Sequence, residues 1–441
     1  MHDKIMPKSR TRAILISAAT FTALSLLPKL LVVAKDVAVA FYFGAGQALD
    51  IYLMAFTLIG MPVLVIVVAL QTALIPALVS QQKEVASGLL GGALKLALCI
   101  SLFVLPVWLL LLPDALDAFY PASVKTIRSS LLLASYWLIP YYFLNGINIL
   151  MYGALQARKT FWVNAILPGV FPVAIILSLV VTQQVDVRTL LIGTNIGSLI
   201  ECVVLYMILI RIEAIRLRGT RGSGLRPVLV SALPLMIGVI AGALAPMVEQ
   251  VVAFKLGSGS VSLLSYGNKV PNAVNTLLVT AIGIVMLPHF VDLVSAERWR
   301  ESRTLHWKLA GSVFAFGVVV SAMGILFSED LIRLLFERGA FTATDSKVTA
   351  NVMSAYLFQL PFLLVAMLST RALAAMRKTK TLTLVAIVQL LLVSALAYIF
   401  SRHFGVAGVP LGSLVATVVG ASLLSSVAWR HLSTQHRCQM Q

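Results

Sequence analysis

Nine ionisable residues stand inside or beside long apolar stretches. Lys29, Lys35 and Asp36 fall in the first stretch and Asp50 opens the second. Lys95, Glu201, Glu249, Lys269 and Arg371 lie in or near later ones. A charge at the centre of a bilayer costs at least ~2.5–3.5 kcal/mol, so such a group faces a cavity or a partner, or snorkels to an interface. Lys95 and Lys255 can both reach an interface. Lys35 and Asp36 are neighbours, and they form either a local ion pair or part of a cavity. Lys29 follows Pro28 within LLPKLLVV, and Lys269 sits in SYGNKVPNAVN, a polar stretch interrupted by proline. Broken, polar helices are where membrane transporters build binding sites. Both lysines are therefore candidates for a cavity that receives an anion. An ammonium binds phosphate as a mobile point charge, which permits release as well as capture. Seven residues separate Lys29 from Asp36, about two turns at ~3.6 residues per turn, so both lie on one side of a helix.

Enzyme chemistry has no comparable foothold. The chain contains no phosphate-binding P-loop, no HExxH and no cysteine pair at metal spacing. The six histidines are scattered, and Cys99, Cys202 and Cys438 imply no disulfide framework. No catalytic residue, no metal site and no cofactor is expected. Gly44-x-Gly46 and Gly257-x-Gly259 fall between apolar stretches and read as tight turns.

These residues must be carried by membrane-spanning helices. The 441 residues are 59% hydrophobic and 12% charged, about half the charged fraction of a soluble domain. Mean hydropathy is +0.96. Apolar windows predict spans at 13–42, 51–80, 87–112, 130–155, 162–182, 188–210, 227–254, 262–293, 308–327, 350–374, 381–400 and 406–428. Helices are the only option, because lipid cannot satisfy free backbone groups and the segments are too long for barrel strands. The N-terminal basic residues and first apolar run resemble a signal peptide but lack a clear cleavage site, so they read as a retained span.

The net charge of +17 would suggest nucleic acid in a soluble protein. Here the positive-inside rule accounts for it, and no nucleic acid partner is expected. With the N-terminus inside, 21 Lys and Arg fall on cytoplasmic segments and 8 on the opposite loops. That split predicts an even number of spans and two cytoplasmic termini. The basic connection 211–226 divides the chain into an N-terminal six-helix lobe, 1–210, and a C-terminal one, 227–441. Two matches suggest duplication. Gly44-Ala45-Gly46 and Gly257-Ser258-Gly259 are followed at similar distances by Pro76 and Pro288, and ALQARKT and LAAMRKT recur in the same order. In-span prolines, among them Pro62, Pro140, Pro234 and Pro361, can kink their helices. The expected architecture is all-α, with about twelve transmembrane helices in two lobes around a central cavity.

Three stretches carry a resemblance: LPKLLVVAKDVAVAFYFGAGQALDIYLMAF, LGSGSVSLLSYGNKVPNAVNTLLVTAIGIVMLPHF and LIRLLFERGAFTATDSKVTANVMSAYLFQLP. Together they resemble the MviN/MurJ-like lipid flippases of the multidrug/oligosaccharidyl-lipid/polysaccharide exporter superfamily. The resemblance implies a cationic cavity and transport of undecaprenyl-pyrophosphate-linked sugars, such as lipid II of peptidoglycan biosynthesis. The family's first-helix cations and aspartate fall at Lys29, Lys35 and Asp36, and its second aspartate at Asp50. A family arginine and glutamate of the eighth helix fall at Lys269 and Asn272. An arginine pair of the second helix falls at Val63 and Leu64 and is lost. These departures fit a relative that exports an exopolysaccharide or O-antigen repeat unit.

Three functions follow as expectations. The first is a flippase for a lipid-linked saccharide in the bacterial inner membrane, working by alternating access. Its partners would be the sugar pyrophosphate, membrane lipids and a coupling ion or the membrane potential. The second is an ion-coupled drug antiporter of the same superfamily, using Asp36, Asp50 or Glu249. The third is a membrane scaffold, which needs no buried charge. A cavity rich in cations suits an anionic diphosphate and favours the first.

Overall fold

The computed structural model describes residues 8–79, 83–119, 125–182, 185–211 and 225–440. No strand occurs among them. Sixteen α-helices follow in chain order: α1 Lys8–Phe43, α2 Gln47–Val79, α3 Lys83–Phe119, α4 Lys125–Trp137, α5 Ile139–Ala157, α6 Phe161–Ile166, α7 Val170–Val181 and α8 Val187–Arg211. Then come α9 Leu225–Phe254, α10 Ser260–Ser295, α11 Trp299–Leu326, α12 Ser328–Phe336, α13 Ala343–Leu357, α14 Leu360–Ala375, α15 Thr379–Phe404 and α16 Gly408–Met440. Each predicted span falls on one helix or on two or three broken pieces. Among the described residues, six segments are long and apolar enough to cross a bilayer, seven if the bent pair of α4 and α5 counts as one. Phe103 is 73% exposed and Leu110 76%. Such side chains would be a liability in water and are ordinary against lipid tails.

Three predicted spans are broken, and the fifth passes through α6, a 3-10 turn at Leu167–Gly169 and α7. The fourth bends by 45° between α4 and α5, just before Pro140 in the first turn of α5. The tenth divides at Phe358 and Gln359, before Pro361. Proline cannot donate into the helix ladder, which leaves backbone groups to be satisfied in a medium without water. Side chains do so. Asn195 of α8 accepts from the Tyr141 N–H at 2.9 Å and donates to the Trp137 carbonyl at 2.9 Å. At the break in the tenth, the Ser321 hydroxyl of α11 donates to the Leu357 carbonyl at 2.7 Å. The Gln359 amide donates to the Pro410 carbonyl at 2.9 Å.

The chain divides into two compact units. One comprises Met1–Val39 and Ala55–Met236, the other Ala40–Met54 and Ile237–Gln441. In the first, α8 packs on α5 and α7, and α3 on α5. In the second, α10 packs on α13 and α14, α11 on α14, and α15 on α16. A core of Phe290, Ala310, Leu368 and Ala372 joins α10, α11 and α14. The basic connection 211–226 lies, apart from its ends, outside the described residues, as do the side chains of Val63 and Leu64.

The second unit includes the end of α1 and the start of α2. The Ala340 N–H donates to the Phe41 carbonyl at 2.8 Å. Gly44 has φ +55°, and a Cβ there would overlap the Ala340 carbonyl oxygen. The turn FERGAFTATD ends in a capping box. Thr342 Oγ1 accepts from the Asp345 N–H at 3.3 Å, and the Asp345 carboxylate accepts from the Thr342 N–H at 2.9 Å.

Candidate functional site

The sequence-predicted residues separate between the units. Lys29, Lys35 and Asp36 belong to the first; Asp50, Lys269 and Asn272 belong to the second. Lys29 is exposed, next to a buried Pro28. Lys35 is half-buried, and its ammonium lies 2.9 Å from the carboxylate of buried Asp36. The local pair therefore forms, and it compensates both charges. Asp36 is 5% exposed, and a lone carboxylate would be costly at that depth.

Asp50 is 1% exposed. Its carboxylate accepts from the Gly259 N–H at 2.6 Å, the Ser262 N–H at 2.7 Å and the Ser262 hydroxyl at 2.5 Å. It thus caps the N-terminus of α10, where orphan amides and the helix dipole favour negative charge. Gly259 itself has φ +85°, and a Cβ there would overlap the Ala45 carbonyl oxygen. The motif GSGSVS is a docking surface for Asp50, so its glycines do more than turn the chain.

Lys269 is half-buried on α10 and Asn272 lies one turn further on, exposed. Both line a polar cavity of about 140 Å3, shared with Glu249 and Gln250 of α9, Asn268 of α10 and Tyr356 of α13. Glu249 is the chemical centre of this wall. One carboxylate oxygen accepts from the Tyr356 hydroxyl at 2.6 Å and the other from the Ser413 hydroxyl of α16. Three helices thus meet on one acid. Glu249 stands out in the sequence as an intramembrane charge, whereas Tyr356 and Ser413 do not. They lie 107 and 164 residues away, and a hydroxyl in an apolar span is no signal by itself. Among the described residues, no group of three or more His, Cys, Asp or Glu could hold a metal ion.

The family model described as lipid II flippase MurJ matches residues 39–440. The chain belongs to the MurJ family. A lipid II flippase MurJ of Burkholderia cenocepacia is 24% identical over 430 residues, covering 92% of this chain and 82% of that relative. Another from Thermosipho africanus is 31% identical over 126 residues, 28% of this chain and 26% of the relative. The solved structure of a lipid II flippase MurJ in an inward closed conformation superimposes with a TM-score of 0.74 at 21% identity, covering 92% of this chain and 86% of that one. An inward-facing multidrug resistance MATE transporter of the MOP superfamily gives a TM-score of 0.76 at 14% identity, covering 95% and 99%. Both likenesses show the fold. Family membership and the apolar helices make this a multi-pass protein of the bacterial inner membrane.

Two of the stretches that carry the family resemblance have physical roles. GSGSVS and FERGAFTATD bind the α1–α2 turn region into the second unit. Asp50 belongs to that framework by its contacts. Lys269, Asn272 and Glu249 remain on a cavity wall.

Proposed function

We propose that this chain flips an undecaprenyl-pyrophosphate-linked saccharide, either lipid II or an exopolysaccharide or O-antigen repeat unit, across the inner membrane by alternating access. Both termini face the cytoplasm. Lys29, Lys35 and Lys269 attract the diphosphate, with Asp36, Asp50 and Asn272 setting the orientation of the cations and the polar wall. The observation that carries the reading is Lys269, a cation in the third turn of α10 on a polar cavity in a chain matched by the lipid II flippase family model. A diphosphate cannot cross hydrocarbon as an isolated ion, and a wet cavity with mobile ammonium groups lowers that barrier. Lys29 is the most accessible of the three lysines, and Lys35 is paired with Asp36.

The test is flipping of a fluorescent undecaprenyl-pyrophosphate saccharide in vesicles. Lys29→Gln and Lys269→Gln should insert normally and lose most transport. Lys35→Gln should also unpair Asp36 and lower stability. Full transport by the Lys29→Gln, Lys269→Gln double variant would remove this site.

The family's fold is shared with MATE transporters, and one observation supports ion coupling. Of the three acids considered for it, Asp36 is paired with Lys35 and Asp50 accepts three hydrogen bonds at α10. Glu249 is held by two hydroxyls beside a cavity. It is the acid best placed to exchange a coupling cation. Glu249→Gln should abolish dependence of transport on the coupling ion while substrate binding persists.

A further inference from the structure

Another buried acid lies in the first unit, on helices that carry none of the site residues assigned above. Glu201 of α8 is 9% exposed. One of its carboxylate oxygens accepts from the hydroxyl of Tyr152 on α5, and the other from the Asn148 amide at 3.3 Å. The same Asn148 nitrogen donates to the Ser198 carbonyl at 3.2 Å. Asn164 donates to the Tyr152 carbonyl at 3.4 Å. Both donors to the carboxylate are neutral. Among the described residues, no lysine, arginine or histidine pairs with Glu201.

Depth makes this arrangement consequential. Glu201 stands fourteen residues from Val187 and ten from Arg211, the ends of α8. At ~1.5 Å per residue these are about 21 and 15 Å, close to the middle of the hydrocarbon layer. An uncompensated carboxylate there is heavily penalised. Two neutral hydrogen bonds do not replace a countercharge. A proton does, and it needs no room in a tightly packed site. The protonated carboxyl can donate its O–H to the Tyr152 oxygen, because a phenol accepts as well as donates. The Asn148 side-chain oxygen is buried and has no partner, so a further acceptor stands beside the pair.

We infer that Glu201, with Tyr152 and Asn148, is a proton-exchange site inside the amino-terminal unit. The proton binds a carboxylate oxygen of Glu201, neutralising it, and leaves as that oxygen regains its charge. Tyr152 supplies the exit. It lies five residues before the end of α5, roughly 8 Å along the helix, where Arg158 and Lys159 form the predicted cytoplasmic turn. Other titratable groups stand on these elements. On α8 they are Cys202, the next residue, with Arg188, Tyr206 and Arg211. α7 has none, α4 carries Lys125, Arg128 and Tyr136, and α5 adds Tyr141 and Tyr142. α3, packed on α5, carries Lys83, Glu84, Lys95, Cys99, Asp114 and Asp117. Arg128 is paired with Asp117 at 2.9 Å. Nothing in the lipid-linked substrate reading requires this acid.

Infrared difference spectra of the full chain in vesicles, between mildly acidic and mildly alkaline buffer, test it directly. The wild type should show a carboxylic acid carbonyl band that shifts in D2O and disappears on the alkaline side. Glu201→Gln should lack it, and Tyr152→Phe should move the pH at which it disappears. The same band in Glu201→Gln, or a band that never titrates, overturns the inference; the second result would mean a proton held permanently. A transport arm adds an independent reading. An imposed pH gradient should change flipping severalfold in the wild type and leave Glu201→Gln unresponsive, and equal responses would again overturn it. If neither protein flips the chosen lipid, the proposed substrate is at fault, and the infrared bands decide the proton site.

Discussion

Four buried carboxylates solve the same problem in three ways. Asp36 uses a neighbouring ammonium, Asp50 uses the amides at the start of a helix, and Glu249 and Glu201 use hydroxyls and an amide. The first two solutions compensate charge, which marks those residues as structural anchors. The others leave the charge to be met from outside. Asp50 gives the sharpest residue-scale expectation. Asp50→Ala removes three acceptor bonds and strands buried donors at Gly259 and Ser262, each costing about 1–3 kcal/mol. It should lower the thermal midpoint of the purified protein clearly, and Asp50→Asn should lower it less, because one amide oxygen can still cap. A variant Asp50→Ala that melts like the wild type but does not transport would assign Asp50 to the substrate and remove its capping role. The sequence identifies every one of these acids as an intramembrane charge. It does not identify their partners, because Ser262 lies 212 residues from Asp50 and Ser413 lies 164 from Glu249.

Elements show where proline signals are informative and where they are incomplete. Apolar windows place every predicted span on helix because hydropathy is a composition property of about twenty consecutive residues. They do not show that Pro140 and Pro361 break their spans, or that Ser328–Phe336 forms a separate amphipathic helix, because a break depends on who satisfies the freed backbone. Asn195 does this for the first break, 54 and 58 residues from its two partners. Asn195→Leu should cost roughly 1–3 kcal/mol by orphaning two backbone groups inside a span, where lipid offers no partner, measurable as a lower melting temperature, with Asn195→Asp retaining the acceptor half. The predicted repeat is also adjusted. The helix pairs α5–α6, α10–α11 and α14–α15 are joined by the same tight turn, with Lys159, Glu297 and Arg377 at φ of 63°, 55° and 58°. In each, the next N–H reaches back five residues, as in Thr160 to Leu155 and Lys378 to Leu373. The RKT triplets match 219 residues apart, yet the left-handed residue is the middle of the first triplet and the first of the second. The turn geometry recurs one residue out of step with the letters. A left-handed non-glycine residue costs roughly 1–2 kcal/mol, so Lys159→Gly and Arg377→Gly should each raise stability by up to about 1 kcal/mol, less the entropy that glycine adds to the unfolded chain. A fall in stability for both would mean that the basic side chains hold those turns through contacts of their own.

At the scale of the whole molecule, orientation in the bilayer is a matter of charge. The three left-handed turns lie in basic connections, with Arg158 and Lys159, Arg298 and Arg300, and Arg377 and Lys378. The connections at the other ends of the same helices carry fewer, and in α12 Arg333 is taken up by Glu329 at 3.1 Å and Glu337 at 3.4 Å. Lys and Arg counted near span ends set topology, and acidic residues contribute little. The basic turns should therefore face the cytoplasm, along with both termini and the connection 211–226, and 328–348 should face the periplasm. Labelling of single cysteines decides this. Cys99, Cys202 and Cys438 are replaced first, and Ser223→Cys and Thr344→Cys are then compared in whole cells with a membrane-impermeant maleimide. Thr344 sits in the first turn of α13, beside the Thr342–Asp345 capping box, and it is exposed. A cysteine there should label from outside without disturbing the cap, whereas one at Ser223 should label only after the membrane is opened. The reverse pattern would invert the molecule. It would also place Lys159 and Arg377 on the periplasmic side and close the cytoplasmic route proposed for the proton of Glu201, so one measurement constrains both the topology and that route.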